Sequence, residues 1–215
     1  MDLKQKKEML ISSLIEGGIL KTKAVIGAFR SVKREEFVLP RYREQAYVDE
    51  PLPIMEGQTI SQPYTVAVMT EALQPRRGEK ILEVGAGSGY QAAVLAEVAG
   101  RKGKVITTER IPRLADFAKE NLQRAGYTDV SVVNCDGSLG YGREAPYDRI
   151  IVTASAPSVP EPLVKQLKAG GILVIPVGDE MIVIKKSGKG EIEKKFIGYY
   201  AFVPLVGKYG HKNYY

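Results

Sequence analysis

The stretch KILEVGAGSGY, residues 80–90, joins a mostly apolar run to three closely spaced glycines. The run Lys80–Val84 predicts a buried strand, and the residues after the glycines predict a helix over Tyr90–Val98. Glycines let the backbone approach a ligand closely, and the free N–H groups at the start of the helix can bind it. This order of strand, glycine loop and helix predicts a site for a nucleotide-like cofactor.

The spacing of the glycines indicates which cofactor class the loop suits. A dinucleotide-binding loop reads Gly-x-Gly-x-x-Gly, but here the order is Gly85-x-Gly87-x-Gly89, so the third glycine comes one residue early. Glu83 precedes the loop, and a carboxylate there suits a cofactor with sulfonium and ammonium cations better than one with two phosphates. The pattern resembles the first motif of the class I S-adenosylmethionine-dependent methyltransferases.

Further acids follow the next two predicted strands. The strand Lys104–Glu109 ends on a carboxylate that can accept from both ribose hydroxyls of a nucleoside. The strand Val130–Asn134 is followed by Asp136-Gly137, where an acid can accept from an adenine amino group. The expected cofactor-binding residues are therefore Glu83, Gly85, Ala86, Gly87, Gly89, Glu109, Asp136 and Gly137.

The pattern along the chain predicts a single domain with three regions. Residues 1–58 predict an N-terminal helical region, with a second helix capped by Thr22, and then a loop over Leu39–Gln58 that is long enough to cover a site. Residues 59–178 alternate strands and helices, and residues 179–215 predict an antiparallel C-terminal β extension. Alternation implies a Rossmann-like, doubly wound α/β fold, a mostly parallel sheet with helices on both faces.

The composition excludes several classes of protein. Cys135 is the only cysteine and His211 the only histidine, so no internal disulfide and no metal site are expected, which fits a reducing cytoplasm. The apolar runs are shorter than the roughly 18 residues of a membrane helix, so no membrane association is expected. The net charge is +6, but Lys and Arg are interleaved with Glu as on a solvated surface, and no nucleic-acid partner is expected.

Outside the glycine loop, the sequence is similar to the protein-L-isoaspartate (D-aspartate) O-methyltransferase family, in its archaeal and bacterial branch. The stretch TISQP, residues 59–63, is the most specific part of the resemblance. The match extends in the family's order over nearly the whole chain, except the tail after Gly207. The other segments that carry it are 82–90, 136–137, 147–150, 153–154, 176–178 and 202–207.

The resemblance implies transfer of a methyl group from S-adenosyl-L-methionine, leaving S-adenosyl-L-homocysteine, to the free α-carboxylate of L-isoaspartyl and D-aspartyl residues. The partners would be damaged proteins and peptides that contain isoaspartate, and the reaction would begin their repair. A carboxylate is already ionised at neutral pH, so the step needs no general base. Orientation of the carboxylate toward the methyl group would then supply the catalysis. We expect the enzyme to act as a monomer.

The resemblance also assigns the substrate side of the site. It makes Ser61 the active-site serine, whereas spacing alone favours a cap for a helix over Gln62–Leu73, where helix N–H groups would favour an anion. Thr59 and Ile60 are expected to shape the same pocket. For Val203-Pro204-Leu205, contact with the substrate backbone and ordinary sheet packing are equally favoured.

Two other functions remain open from the sequence alone. An RNA or DNA methyltransferase would fit the fold and the positive charge. Enzymes that methylate base amino groups usually carry Asn/Asp-Pro-Pro-Tyr after the fourth strand, but residues 153–157 read TASAP and offer no aromatic ring to stack a flipped base. A non-catalytic nucleotide-binding protein would have no use for the TISQP stretch.

Overall fold

The computed structural model describes residues 1–212. Helices α1 (Leu3–Glu16) and α2 (Lys23–Ser31) are followed by 3-10 turns and by the two short strands β1 (Leu52–Pro53) and β2 (Thr59–Ile60). The remaining elements are α3 (Pro63–Leu73), β3 (Lys80–Val84), α4 (Tyr90–Ala99), β4 (Lys104–Glu109), α5 (Pro112–Arg124), β5 (Ser131–Asn134), β6 (Tyr147–Val152), α6 (Glu161–Gln166), β7 (Leu167–Val177), β8 (Glu180–Lys186) and β9 (Ile192–Tyr199). None of the helices among residues 1–212 is both long and apolar enough to cross a membrane.

Seven strands form one sheet in the order β5-β4-β3-β6-β7-β8-β9. Neighbours from β5 to β7 are parallel, and β8 and β9 extend one edge antiparallel. After β3 the chain builds β4 and β5 on one side and then crosses to place β6 on the other. The strand order therefore reverses between β3 and β6, where a crevice opens at the carboxyl ends of the strands. The predicted Rossmann-like fold, with N-terminal helices and antiparallel C-terminal strands, is confirmed.

The two faces of the sheet are covered unequally. Alternate strand residues such as Ile81, Ile151 and Val174 belong to a core shared with helices α1 to α5. Their neighbours, such as Leu82 and Ile150, belong to a smaller core completed by α6 and the C-terminal segment. Successive side chains of a strand point to opposite faces, so near-continuous apolar strands are what a doubly covered sheet requires.

Helix starts are where the sequence predictions needed most correction. Thr22 does occupy the cap position of α2, but its side chain makes no cap bond there. Its hydroxyl instead donates to the Glu71 carboxylate at 2.6 Å, because α3 packs close to the start of α2. The cap of α3 is Gln62 and not Ser61, and Pro63 occupies the first turn as predicted.

The predicted loop Leu39–Gln58 contains more structure than its sequence pattern indicated. A 3-10 helix spans Pro40–Gln45, and β1 near the loop's end pairs antiparallel with β2. The N–H of Ile54 donates to the carbonyl of Gln58 at 2.8 Å and closes the turn between these strands. Several main-chain hydrogen bonds join residues within the segment 39–58. A polar, proline-containing segment can therefore adopt a defined conformation although its sequence shows no helical or strand periodicity.

A buried ion pair lies at the end of the sheet opposite the crevice. Arg149 on β6 lies 3.0 Å from Glu79, and the two side chains are 6% and 16% exposed. The Nε of Arg149 also donates to the carbonyl of Gln74 at 3.1 Å. Removing one member of such a pair leaves the other charge buried without its partner.

We expect Glu79→Ala to lower the free energy of unfolding by about 3 kcal/mol, which is roughly 8 °C in Tm for a chain of this size. Thermal unfolding measures it. Glu161→Ala is the matched control, because Glu161 forms an exposed pair with Lys165 on α6; it should leave Tm unchanged. Equal losses from the two variants would contradict the assignment of stability to the buried pair.

Candidate active site

A cavity lies at the carboxyl ends of β3, β4 and β6, at the point where the strand order reverses. It brings together most of the residues that the sequence assigned to the cofactor and to the substrate. Those that line it are Thr59, Ile60, Ser61, Glu83, Gly85, Ala86, Gly87, Glu109, Gly137, Val203, Pro204 and Leu205. The cofactor half and the substrate half, although far apart in the chain, therefore share one cavity.

The glycine loop packs tightly against the end of β6. Gly85 has φ +100°, and a side chain there would come within 2.4 Å of the Thr153 hydroxyl oxygen. That hydroxyl donates to the carbonyl of Gly85 at 2.7 Å. Glycine is thus required at this position by both backbone conformation and space. Thr153 itself lines the cavity, and it was assigned no site role from sequence although it belongs to a segment that carries the family resemblance.

Glu109 holds the loop through its carboxylate. One oxygen accepts from the N–H of Gly87 at 3.0 Å, and the other accepts from the N–H of Ile111 at 3.0 Å. The side chain is largely buried but reaches the cavity wall. Each carboxylate oxygen has a second acceptor site, so Glu109 can still accept from a ligand hydroxyl.

Glu83 is a fully buried carboxyl group that faces the cavity. Neither of its oxygens has a hydrogen-bond partner within residues 1–212. Burial raises the pKa of Glu83 to about 8, and the nearby Glu109 carboxylate adds to the rise. The hydroxyl of Thr107, its cross-strand neighbour, opposes the shift, although that oxygen also lacks a partner in normal hydrogen-bond geometry. An uncompensated buried acid is suited to a ligand that brings donors or positive charge.

Two residues of the expected cofactor set do not line the cavity. Gly89 is the cap residue just before α4, and a side chain there would come within 3.0 Å of Leu122 on α5, so its small size serves helix packing. The carboxylate of Asp136 accepts from Ser138, through both N–H and hydroxyl, and from the N–H of Lys208 at 2.7 Å. These bonds hold the C-terminal segment beside Gly137, which does line the cavity.

Ser61 lies between β2 and α3 at the mouth of the cavity. It is half-buried, and no hydrogen bond involves its hydroxyl within the described chain, residues 1–212. The expected attraction of an anion by the start of α3 is reduced, because the Asp49 carboxylate accepts from the N–H of Tyr64 at 2.8 Å. The hydroxyl of Ser61 is therefore a group at this point that remains able to donate to a ligand.

The segment Val203–Leu205 combines both roles that the sequence left open. Its backbone pairs with Ser155, which donates to the carbonyl of Val203 at 2.8 Å and accepts from the N–H of Leu205 at 2.7 Å. Its side chains line the cavity. Among the described residues, the N–H of Val203 and the carbonyl of Pro204 have no main-chain partner. Pro204, the residue opposite Ser155 in this bridge, directs its carbonyl away from Ser155, so that carbonyl can accept from an extended chain.

A second cavity adjoins the first and shares four lining residues with it: Thr59, Ser61, Thr153 and Val203. Its outer wall is aromatic, formed by Tyr64, Tyr199, Tyr200 and Phe202. The described residues that line the two cavities include neither His211 nor Cys135. The aromatic wall was not predicted, because single tyrosines in a strand and a helix carry no pattern that separates site from core.

Comparison with known proteins assigns the chain to a family. The family model described as "Protein-L-isoaspartate(D-aspartate) O-methyltransferase (PCMT)" matches residues 4–210. The protein-L-isoaspartate O-methyltransferase of Staphylothermus marinus is 53% identical over 218 residues, covering 97% of each chain. The enzyme of the same description from Methanopyrus kandleri is 53% identical and covers 96% of this chain and 94% of its own.

Solved structures that superpose on this chain carry the same family description. A protein-L-isoaspartate O-methyltransferase superposes with a TM-score of 0.85 at 31% identity, over 95% of this chain and 67% of the other. A Plasmodium falciparum structure described as a member of the same family, in complex with S-adenosyl-L-homocysteine, superposes with a TM-score of 0.80 at 27% identity, over 92% and 97% of the two chains. The chain belongs to the protein-L-isoaspartate (D-aspartate) O-methyltransferase family.

Proposed function

We propose that this chain is a repair enzyme that transfers a methyl group from S-adenosyl-L-methionine to the free α-carboxylate of L-isoaspartyl residues, and of D-aspartyl residues, in damaged proteins and peptides. The observation that carries the proposal is the shared cavity. A buried, unpartnered acid at its inner end and a hydroxyl able to donate at its mouth suit a cationic methyl donor and an anionic acceptor.

The residues of the inner end fit the methyl donor. Glu83 offers a carboxylate with no partner in the described chain, which suits an ammonium or sulfonium cation. Glu109 retains acceptor sites for ribose hydroxyls while its backbone bonds hold its position. Gly85 and Gly137 lack side chains that would meet Thr153, Thr108 or Val84, and this close packing places their backbone at the cavity wall. The roles of Gly89 and Asp136 would be indirect, through α4 packing and through the Lys208 segment.

When bound, S-adenosylmethionine supplies an activated methyl group. The side chains around Ser61 would do the remaining work by orienting the acceptor carboxylate. That carboxylate is ionised at neutral pH, so the cavity's lack of a histidine among its described lining residues is no obstacle. The Ser61 hydroxyl would donate to one carboxylate oxygen and hold the other in line with the methyl group.

The second cavity and the Val203–Leu205 segment beside it favour a polypeptide acceptor over a small molecule. Pro204 offers a main-chain carbonyl with no main-chain partner among the described residues, and an extended peptide can donate to it. Backbone pairing requires no particular side chain, which would let the enzyme accept isoaspartate in many sequence contexts. Thr59 and Ile60, on β2, would form the wall opposite this segment.

The chain as a single methyltransferase domain is part of the proposal. One continuous core contains side chains from α1, from the β3–β6 centre of the sheet and from β8, which supports it. Its action as a monomer and in the cytoplasm stay predictions.

The decisive experiment uses a matched pair of peptides that differ only in aspartyl or isoaspartyl linkage. With labelled S-adenosylmethionine, we expect label in the isoaspartyl peptide and none above background in the aspartyl one. Base lability of the label would identify a methyl ester. Equal labelling of both peptides, or labelling of RNA alone, would refute the proposal.

Ser61→Ala tests the positioning role of the hydroxyl. We expect kcat/KM for the isoaspartyl peptide to fall roughly 10- to 100-fold, the effect of losing a hydrogen bond to a charged group. Tm and the affinity for S-adenosyl-L-homocysteine should stay unchanged, because Ser61 makes no hydrogen bond within residues 1–212. Ser12→Ala, an exposed change on α1, is the control. Unchanged turnover in Ser61→Ala would rule out the role.

Glu83→Gln tests the buried acid through the pH dependence of stability. A folded-state pKa of about 8 lies above the ordinary value of the unfolded chain, so the folded protein binds the proton more tightly. Stability should therefore fall as pH rises from about 5 to about 8.

In thermal unfolding without ligand, Glu83→Gln should match the wild type near pH 5 and exceed it by several degrees near pH 8. Affinity for labelled S-adenosylmethionine should drop in the same variant. Glu120→Gln, an exposed change on α5, should show neither effect. A Tm difference that is the same at both pH values would contradict the assignment.

A further inference from the structure

Asp49 makes two hydrogen bonds to the first residues after Ser61. Its carboxylate oxygen Oδ1 accepts from the N–H of Tyr64 at 2.8 Å, and its own carbonyl accepts from Nε2 of Gln62 at 3.0 Å. Pro63 between them has no N–H, so Tyr64 carries the first N–H donor of α3. Asp49 thus supplies from a distant segment the cap that no side chain of the helix start itself provides.

The chain just after Asp49 holds the other side of Ser61. Leu52 pairs with Ile60 and Pro53 pairs with Thr59 in the short β1–β2 ladder. Residues 49–53 therefore contact the chain on both sides of Ser61: they pair with β2 before it, and they bind the Gln62 side chain and the Tyr64 N–H after it. The serine has no hydrogen bond of its own within residues 1–212, so its position depends on these flanking contacts.

Arg34 joins the chain just before this segment, at Ala46, to the cofactor half of the cavity. Its Nε donates to the carbonyl of Ala46 at 2.9 Å, and its guanidinium lies 5.1 Å from the ring centre of Tyr90. Tyr90 begins α4 directly after the glycine loop and lines the cavity. Burial lowers the pKa of Arg34 to about 10, while Tyr90, Tyr47 and Asp49 act to raise it, so the side chain stays charged at neutral pH.

We propose that Asp49 is a positioning residue for methyl transfer, which holds the start of α3 so that the Ser61 hydroxyl meets the substrate carboxylate in a fixed place. The inference rests on the proposed function and adds a residue to it. By accepting from the Tyr64 N–H, Asp49 also occupies one donor of the helix start that could compete with Ser61 for the substrate anion.

The chain offers a matched control for the loss of a helix cap. Asp2 caps α1 with a bond of the same kind and length, its Oδ1 accepting from the N–H of Gln5 at 2.8 Å, at an exposed helix start, and α1 contributes no residue to either cavity. Asp49→Ala and Asp2→Ala each remove one aspartate-to-backbone bond at a helix start. A purely structural role predicts similar consequences for the two variants.

Steady-state methyl transfer to an isoaspartyl peptide and thermal unfolding would be measured on the full chain. We expect both alanine variants to lower Tm by a few degrees. Asp49→Ala alone should lower kcat at saturating peptide and cofactor by about tenfold or more, with the Kd of S-adenosyl-L-homocysteine within twofold of wild type. Asp49→Asn should restore kcat to within about threefold of wild type, because its amide oxygen can still accept from Tyr64.

Three results would overturn the proposal. The first is an Asp49→Ala enzyme whose kcat equals that of Asp2→Ala. The second is an Asp49→Asn enzyme as slow as Asp49→Ala, which would show that charge and not the accepted bond matters. The third is a wild-type chain that methylates no isoaspartyl peptide, which removes the proposed function as well. The first two leave the proposed function intact, so the two failures are distinguishable.

Discussion

The contact between the glycine loop and the end of β6 is the constraint on which the site depends. β3 and β6 run parallel side by side, and the chain leaves their carboxyl ends in opposite directions, which opens a crevice between them. The Thr153 hydroxyl, at 2.7 Å from the carbonyl of Gly85, holds the two strand ends together at the floor of this crevice. Any side chain at Gly85 would push these strand ends apart. The shape of the crevice therefore depends on having glycine at this position.

A cost in stability accompanies this arrangement. Glu83 is buried with neither oxygen hydrogen-bonded within the described chain, which disfavours its charged form in the free protein. Glu109, only one strand away, has both oxygens bonded to backbone N–H groups. The two acids therefore have different roles. Glu109 fixes the conformation of the glycine loop, and Glu83 is left able to bind a ligand with positive charge. A free protein is often less stable with its polar binding-site residues than it would be with apolar side chains at the same positions.

Much of the substrate side, including Ser61, comes from the N-terminal third of the chain, which contributes no strand to the main sheet. Its segment 49–53 contacts the chain on both sides of Ser61, and Arg34 joins Ala46, just before that segment, to the helix that follows the glycine loop. A catalytic arrangement of this kind needs no general base, but it needs geometry, since orientation supplies the rate. Ser61 has no hydrogen bond of its own within residues 1–212, but the residues on both sides of it are held by segment 49–53, which is consistent with that requirement.

The sequence by itself determined the sheet, the glycine loop and the family. These follow from local patterns: apolar runs of strand length, glycines at fixed spacing and the TISQP stretch, each readable within about ten residues. Tertiary structure alone decided which polar groups face the cavity. Asp136 was expected beside the cofactor but bonds to Ser138 and Lys208, and Asp49 was not expected at all but caps α3 across fifteen residues. A carboxylate's role depends on which donors reach it, and those donors come from segments whose proximity only the folded chain establishes.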